Sequence, residues 1–362
     1  MLMQGLPAAP AVAPAWRAAS ATNFAHSASA APHASRRRAI LAAHPEIRDL
    51  FGPCHRTKYT VLAVVAVQFG AAHVAASRPF WQLFLLAWAL GGLLTSNLFL
   101  AAHEVSHNLA FQTPRLNKLL GLVANAPVCI PFSIAFAKYH VEHHRAQGET
   151  GVDCDLPHAI EARWVMRCGW LGKAAWLSTQ LIFYALRPLL VRPKVPGMWD
   201  AINLATVLAV DAAVWCSPWL GPRALLYLLL SVLLGGGLHP AGAHFIAEHY
   251  MWPLSAADAV AEEAKSDGQR TAEAAAGEGA AQETFSYYGF WNALTYHVGY
   301  HNEHHDFPRV PGTRLAAVRA AAPEFYDQLR HHTSYIAVIY AFVFDGRVGP
   351  FSRVTREGGK EL

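Results

Sequence analysis

Apolar residues fall in long blocks along this chain rather than at the spacing of one amphipathic face, and that pattern sets the first expectations. Residues 80–102 carry no charge. As a helix they extend about 34 Å, enough to cross a hydrocarbon core. Residues 59–76 form a shorter block interrupted by Gln68 and His73, residues 200–219 hold one internal acid at Asp211, and residues 223–247 begin apolar and run into histidines. A fifth block, 172–190, ends in Arg187-Pro188 and reads as an interfacial or buried helix. Only Ser77-Arg78-Pro79 separates the first two spans, and Gly221-Pro222 sits in the short break between the second two. The expected fold is an all-α integral membrane protein, with about four transmembrane helices in two hairpins. Loops that short hold no domain, so the remaining polar segments share one side. The fold class then includes a histidine-rich helical cap on that side.

Composition agrees: 53% of residues are hydrophobic and 15% charged, a low charge density for a soluble protein. The shared polar side contains Arg36, Arg37, Arg38, Lys58, Arg145, Arg163, Arg167, Lys173, Arg192 and Lys194. The excess of basic residues in loops places it in the cytosol. The net charge of +4 comes without interleaved basic and aromatic residues, so no nucleic-acid partner is expected. Five cysteines at 54, 129, 154, 168 and 216 form no C-x-x-C pair, which fits reduced thiols. Residues 1–31, acid-free and rich in Ala, Ser and Pro, read as a disordered or targeting extension. Residues 32–355 are expected to form one membrane domain. It is broken by a low-complexity insertion at about 254–283 and followed by a tail at 356–362.

Eight of the 20 histidines lie in three clusters: His103 and His107 in HEVSH, His140, His143 and His144 in HVEHH, and His301, His304 and His305 in HNEHH. Helical spacings of three and four residues bring side chains to one face, so each cluster presents its imidazoles together. HEVSH alone fits the H-E-x-x-H signature of zinc proteases, with Glu104 as the base. That reading leaves both H-x-E-H-H boxes unexplained. Eight imidazoles exceed the four ligands of one zinc ion and suit two metal ions, each with an open position. Imidazole does not discriminate strongly among iron, zinc, copper and nickel. The neighbouring acids Glu104, Glu142, Glu303 and Asp306 are candidates for fixing imidazole tautomers. Asp153 and Asp155 read as loop caps, and Asn108 and Asn125 as polar partners near the site.

The three boxes resemble the signature of the membrane fatty acyl desaturase and hydroxylase superfamily. The stretches NLFLAAHEVSHNLAF, AKYHVEHHRAQGETGVDCDLP, HPAGAHFIAEHYMW and YHVGYHNEHHDFPRVPG, the late PFSRV and the early PHASRRRAILAAHPEIRDLFGP are similar to its sphingolipid Δ4-desaturase branch. The resemblance spans about 32–251 and 284–355. It implies a di-iron centre fed by cytochrome b5 and its NADH-dependent reductase. The lipid substrate would be dihydroceramide and the product a trans C4–C5 double bond. The address implied is the endoplasmic reticulum membrane, ahead of a plastid one, with the histidine boxes cytosolic. It also implies a ninth ligand after the fourth span, His249, with His244 next in order. His297 stands where the family pattern has asparagine; four residues before His301, it is a candidate extra ligand or a partner of one. Breaking unactivated C–H bonds needs a redox metal and O2, since no side chain is a strong enough base or radical. No G-x-G-x-x-G follows a strand pattern, so electrons come from a separate protein. Rival readings are a C4-hydroxylase or bifunctional enzyme, a desaturase of glycerolipid or acyl-CoA, an intramembrane zinc metalloprotease and a metal transporter.

Overall fold

The computed structural model describes residues 23–253 and 282–357. It is helical almost throughout, with two short parallel ladders: Ala25–His26 beside Val354–Thr355, and Ser286–Tyr287 beside His331–His332. Four helices are long and apolar enough to cross a membrane: Arg56–Ala76, Phe80–Ser106, Gly169–Val191 and Met198–Cys216. Two further apolar paths are bent. Pro114–Val128 meets Ser133–Arg145 at 117°, and Gly221–Gly235 meets Pro240–Ala247 at 44°. The chain is therefore a multi-pass membrane protein.

Two of the expected spans differ in detail. The 172–190 block, read as interfacial or buried, lies in a 23-residue helix that passes the length and hydropathy test for a span. The 223–247 block is not one straight helix. Gly236, Gly237 and Pro240 interrupt it, and proline both lacks a donor and restricts the residue before it. The break bends the path by 44° and puts His244 on the second, short helix.

The spans are inverted relative to a soluble protein. Leu62 is 53% exposed and Trp81 62%, while the polar Gln68, Thr95 and Ser96 are buried. In hydrocarbon this is the favourable arrangement, because lipid solvates apolar side chains and polar groups need partners inside the bundle. Gln68 Nε2 donates to Thr95 Oγ1 at 3.1 Å and to Gly91 O at 3.4 Å. The Phe80–Ser106 and Gly221–Gly235 helices cross at a glycine contact. A Cβ on Gly235 would sit 2.7 Å from the Gly92 Cα. The close approach fits Ser96 Oγ, which reaches Gly235 O at 3.3 Å. Gly235→Val forces backbone against backbone. We expect it to cost about 1–3 kcal/mol, read as a lower midpoint in thermal unfolding of the detergent-solubilised protein.

The Phe80–Ser106 helix is long enough to lift HEVSH past its apolar stretch. It stops at Asn108, which takes φ of 60° and returns its N–H to Val105 O at 3.1 Å. Asparagine tolerates this left-handed conformation better than most residues. Asn125 is likewise structural. Its Oδ1 accepts from the N–H groups of Phe132 and Ser133, both at 3.0 Å, and fixes the sharp turn before HVEHH.

Near the two ends of the described residues, Ala25–His26 and Val354–Thr355 pair with each other. The strand Ala25–His26 lies within the stretch read as an extension, so that part is ordered; residues 1–22 lie outside the described residues. Of the expected insertion, 254–281 lies outside them as well, whereas Glu283 is buried and pairs with Arg356 at the start of the expected tail. Two of the basic residues counted on the shared polar side turn inward. Arg36 pairs with Asp306, and Lys173 Nζ donates to the carbonyls of Asp345 and Val348 at 2.7 and 2.9 Å.

Candidate metal centre

Four pieces of chain bring histidines to one place: the end of Phe80–Ser106, the Ser133–Arg145 helix, the segment after the broken span, and the short helix His301–Asp306. Two groups result. His103, His107, His140, His144 and His304 place one ring nitrogen each within 4.8 Å of one another, and His143, His249 and His305 do the same. The groups adjoin, with the rings of His144 and His305 stacked at 4.1 Å. His301 borders the second group, its Nε2 2.8 Å from His249 Nε2.

The ring nitrogens face one another. His140 Nε2 lies 2.9 Å from His107 Nε2 and 3.0 Å from His144 Nε2, and His144 Nε2 lies 3.1 Å from His304 Nε2. His143 Nε2 lies 3.1 Å from His249 Nε2. The ring nitrogens of His107, His140, His144 and His304 each carry at most one hydrogen, and a lone pair only in its absence, so the three contacts along that row cannot all be hydrogen bonds. His103 Nε2 and His305 Nε2 are buried with no hydrogen-bond partner. Among these imidazoles protonation is favoured only at His143, where Asp153 outweighs burial. Burial, and then the neighbouring imidazoles, hold His249, His304 and His305 well below the ordinary histidine value. Converging lone pairs in a dry site are what a cation requires. The donor set therefore fits two metal ions, with all-nitrogen ligation.

Behind the ring nitrogens sit carboxylates, though not those adjacent in sequence. Asp153 Oδ1 lies 3.0 Å from His143 Nδ1 and also accepts the Asp155 N–H at 2.9 Å, while its Oδ2 accepts the Gly148 N–H at 2.7 Å. Asp155 is held by Tyr184 Oη and by Arg353 Nη2 at 2.6 Å. GVDCDLP is thus more than a capped loop: it orients a box histidine, and the PFSRV arginine anchors it. An Asp153→Asn variant keeps the shape and removes the charge. We expect about 10- to 100-fold weaker metal retention, measured by chelator competition. Glu248 Oε1 stands 3.6 Å from the unpartnered Nδ1 of His301. Burial raises Glu248 well above the carboxylate range.

Glu104, Glu142, Glu303 and Asp306 do not touch box imidazoles. Neighbouring positions on a helix point about 100° apart, so an acid beside a ligand faces elsewhere. Glu104 accepts the Gly312 N–H at 3.2 Å, tying the first box to the loop after the third, and is not placed as a protease base. Glu142 pairs with Arg192 and Lys194. Glu303 accepts from Ser286 Oγ at 2.8 Å and Tyr288 Oη at 2.6 Å.

His244 and His297 join neither group. His244 Nδ1 bonds Ala241 O at 2.8 Å within its own turn. His297 lies in a turn with φ of 56°, and the helix of the third box begins only at His301, so the two do not share a helical face. His33, Arg36 and Thr284 surround the third box; the sequence had marked Arg36 only as a loop cation and given the other two no role. A signal for His33 and Arg36 was present in PHASRRR, a similar stretch with no assigned chemistry.

A family described as Fatty acid desaturase matches residues 79–337, and one described as Sphingolipid Delta4-desaturase (DES) matches residues 20–56. A sphingolipid delta(4)-desaturase DES1-like protein of Oryza sativa subsp. japonica is 46% identical over 94% of this chain and 95% of its own length. The chain belongs to the sphingolipid delta(4)-desaturase family. It is therefore an oxidoreductase of the desaturase class. The sphingolipid delta(4)-desaturase DES1 of Drosophila melanogaster is 42% identical over 90% of this chain and 92% of its own. A human relative named sphingolipid delta(4)-desaturase/C4-monooxygenase DES2 is 41% identical, over 90% of this chain and 92% of its own. Fatty acid desaturases are generally iron-dependent, and the histidine groups of this desaturase lie inside the matched region.

Proposed function

We propose that this desaturase introduces a trans double bond between C4 and C5 of the long-chain base of dihydroceramide, with two irons held by its histidines. The observation that carries the reading is the pair of adjoining buried and half-buried imidazole groups, five and three residues, whose ring nitrogens converge, with those of His103 and His305 left without a hydrogen-bond partner. His103, His107, His140, His144 and His304 would hold one iron, and His143, His249, His301 and His305 the other. Bound iron supplies the O2-dependent oxidising power that removes hydrogen from an unactivated C–H bond. The chain's own part is position and dryness. Asp153 orients His143, Glu248 faces His301, and Gly312 ties Glu104 beneath the third box. Burial favours the neutral form of His249, His304 and His305, whereas at His143 the opposing pull of Asp153 outweighs it.

Electrons arrive from cytochrome b5 and its NADH-dependent reductase, since no dinucleotide-binding motif follows a strand. Loop basicity and family membership support an endoplasmic reticulum membrane with the boxes on the cytosolic side. Hydroxylation at C4 is the second reading, favoured by the human relative whose name includes C4-monooxygenase.

The test is mass spectrometry of long-chain bases after membranes containing the protein receive dihydroceramide, NADH and O2. Loss of two hydrogens at C4–C5, absent in His305→Ala, is the expected result. Gain of one oxygen at C4 moves the assignment to the hydroxylase. Unchanged substrate with working electron donors overturns the sphingolipid assignment.

A further inference from the structure

His33, Arg36, Thr284 and Asp306 are buried against the third box, and the proposed reaction leaves them without a role. With His33 neutral, their hydrogen bonds admit one consistent set of directions. The Asp306 carboxylate accepts from Arg36 Nε at 2.7 Å, Arg36 Nη2 at 3.1 Å and Tyr326 Oη at 3.0 Å. His33 Nδ1 lies 2.8 Å from its Oδ1. A carboxylate paired with a guanidinium has no hydrogen to give, so the hydrogen is on His33 Nδ1. Arg36 Nη2 also lies 3.2 Å from that nitrogen, but its two hydrogens are taken by Asn302 Oδ1 at 2.9 Å and by Asp306. Arg36 already balances the charge of Asp306. A second cation at His33 would be buried without a counter-ion, so this imidazole is neutral and its Nε2 accepts.

That acceptor sits 3.0 Å from Thr284 Oγ1, which has one hydrogen to give. The threonine oxygen must then accept from its other neighbours. These are Gln147 Nε2 at 3.2 Å and His249 Nδ1 at 3.5 Å, the long end of a hydrogen bond. His249 consequently carries its hydrogen on Nδ1. The lone pair of its Nε2 points at His143 Nε2, 3.1 Å away, and His301 Nε2, 2.8 Å away.

We propose that Asp306, His33 and Thr284 form a directional relay that sets the metal-ligating tautomer of His249. They are positioning residues, supplied by the third box, the N-terminal segment and the stretch just before the Ser286–Tyr287 strand. The inference rests on reading His249 as an iron ligand. It explains why a segment about 270 residues away in sequence is packed against the third box: His33 and Arg36 meet Asp306, and the His33 ring lies 4.8 Å from that of His305.

The experiment measures iron retained by the purified full-length protein against a graded chelator. Thr284→Val keeps the shape and removes the hydroxyl, whereas Thr284→Ser keeps it. Thr284→Val is expected to lose half its iron at about 10- to 100-fold less chelator, and Thr284→Ser to match the parent. His33→Gln, whose amide donates to Asp306 and accepts from Thr284, should retain more iron than His33→Leu. This second pair carries the same comparison if Thr284→Val does not accumulate. Parent-like retention in Thr284→Val, or equal loss in Thr284→Ser, overturns the relay while loss in His249→Ala upholds the ligand. Unchanged iron in His249→Ala overturns the ligand reading and the relay with it.

Discussion

A His304→Ala variant forms no product above background and loses metal, yet still inserts into the membrane. His304 brings the third box into the five-histidine group. Its ring lies 4.4 Å from His103 and 4.8 Å from both His107 and His144, and its Nε2 reaches His144 Nε2 at 3.1 Å. Alanine removes a ligand nitrogen that no neighbouring donor replaces. It also opens a dry site to water, which weakens every electrostatic interaction there. His297→Ala is the matched comparison. That imidazole sits in a turn outside both groups, so activity is expected to stay within about twofold of the parent, the scale of a ~0.4 kcal/mol change. Product assays and metal analysis on the two variants check the contrast. Product formed by His304→Ala within twofold of the parent would contradict the assignment.

The largest expected loss of stability lies away from the histidines. Arg187 sits in the Gly169–Val191 span and is buried with Glu161 through two bonds, Nη2 to Oε1 at 2.7 Å and Nε to Oε2 at 3.0 Å. Trp176 Nε1 adds a third bond to Glu161 Oε1 at 2.6 Å. Glu161→Ala leaves a guanidinium unpaired beside an apolar core and an indole N–H without an acceptor. Breaking a buried pair from one side costs about 3–5 kcal/mol, more than the intact pair contributes against a well-packed apolar replacement. The expected readout is a sharply lower unfolding midpoint, partly recovered by Glu161→Ala combined with Arg187→Met. Failure of the second change to recover any stability would show that the loss is not an unpaired charge.

The extent to which the sequence foretold this structure follows from the range of the interactions involved. The spans were legible because hydropathy is a property of contiguous residues, and the box histidines because i, i+3 and i+4 spacing is local. His249 came from the resemblance, and the structure places it in the second group. The broken fourth path was less legible. Gly235-Gly236-Gly237 and Pro240 were visible, but the direction of the bend depends on packing against Gly92 and Ser178. The acids behind the histidines were misassigned for a geometric reason. Proximity in sequence suggested Glu104, Glu142 and Glu303, while helix rotation turns each away. The group that reaches His143 is Asp153, ten residues on and brought back by a turn. His33 and Thr284 lie at sequence separations of 273 and 35 from the acid and the histidine they contact, Asp306 and His249, and no local pattern encodes such contacts.

Metal stoichiometry of the purified protein tests the central claim most directly, because every functional inference depends on two occupied histidine groups. Metal analysis by mass spectrometry, together with Mössbauer spectroscopy of protein grown on enriched iron, is expected to give two irons per polypeptide. It should also give signals for nitrogen-rich sites that His304→Ala abolishes. A single zinc per polypeptide, or no stoichiometric metal in active protein, would contradict the account.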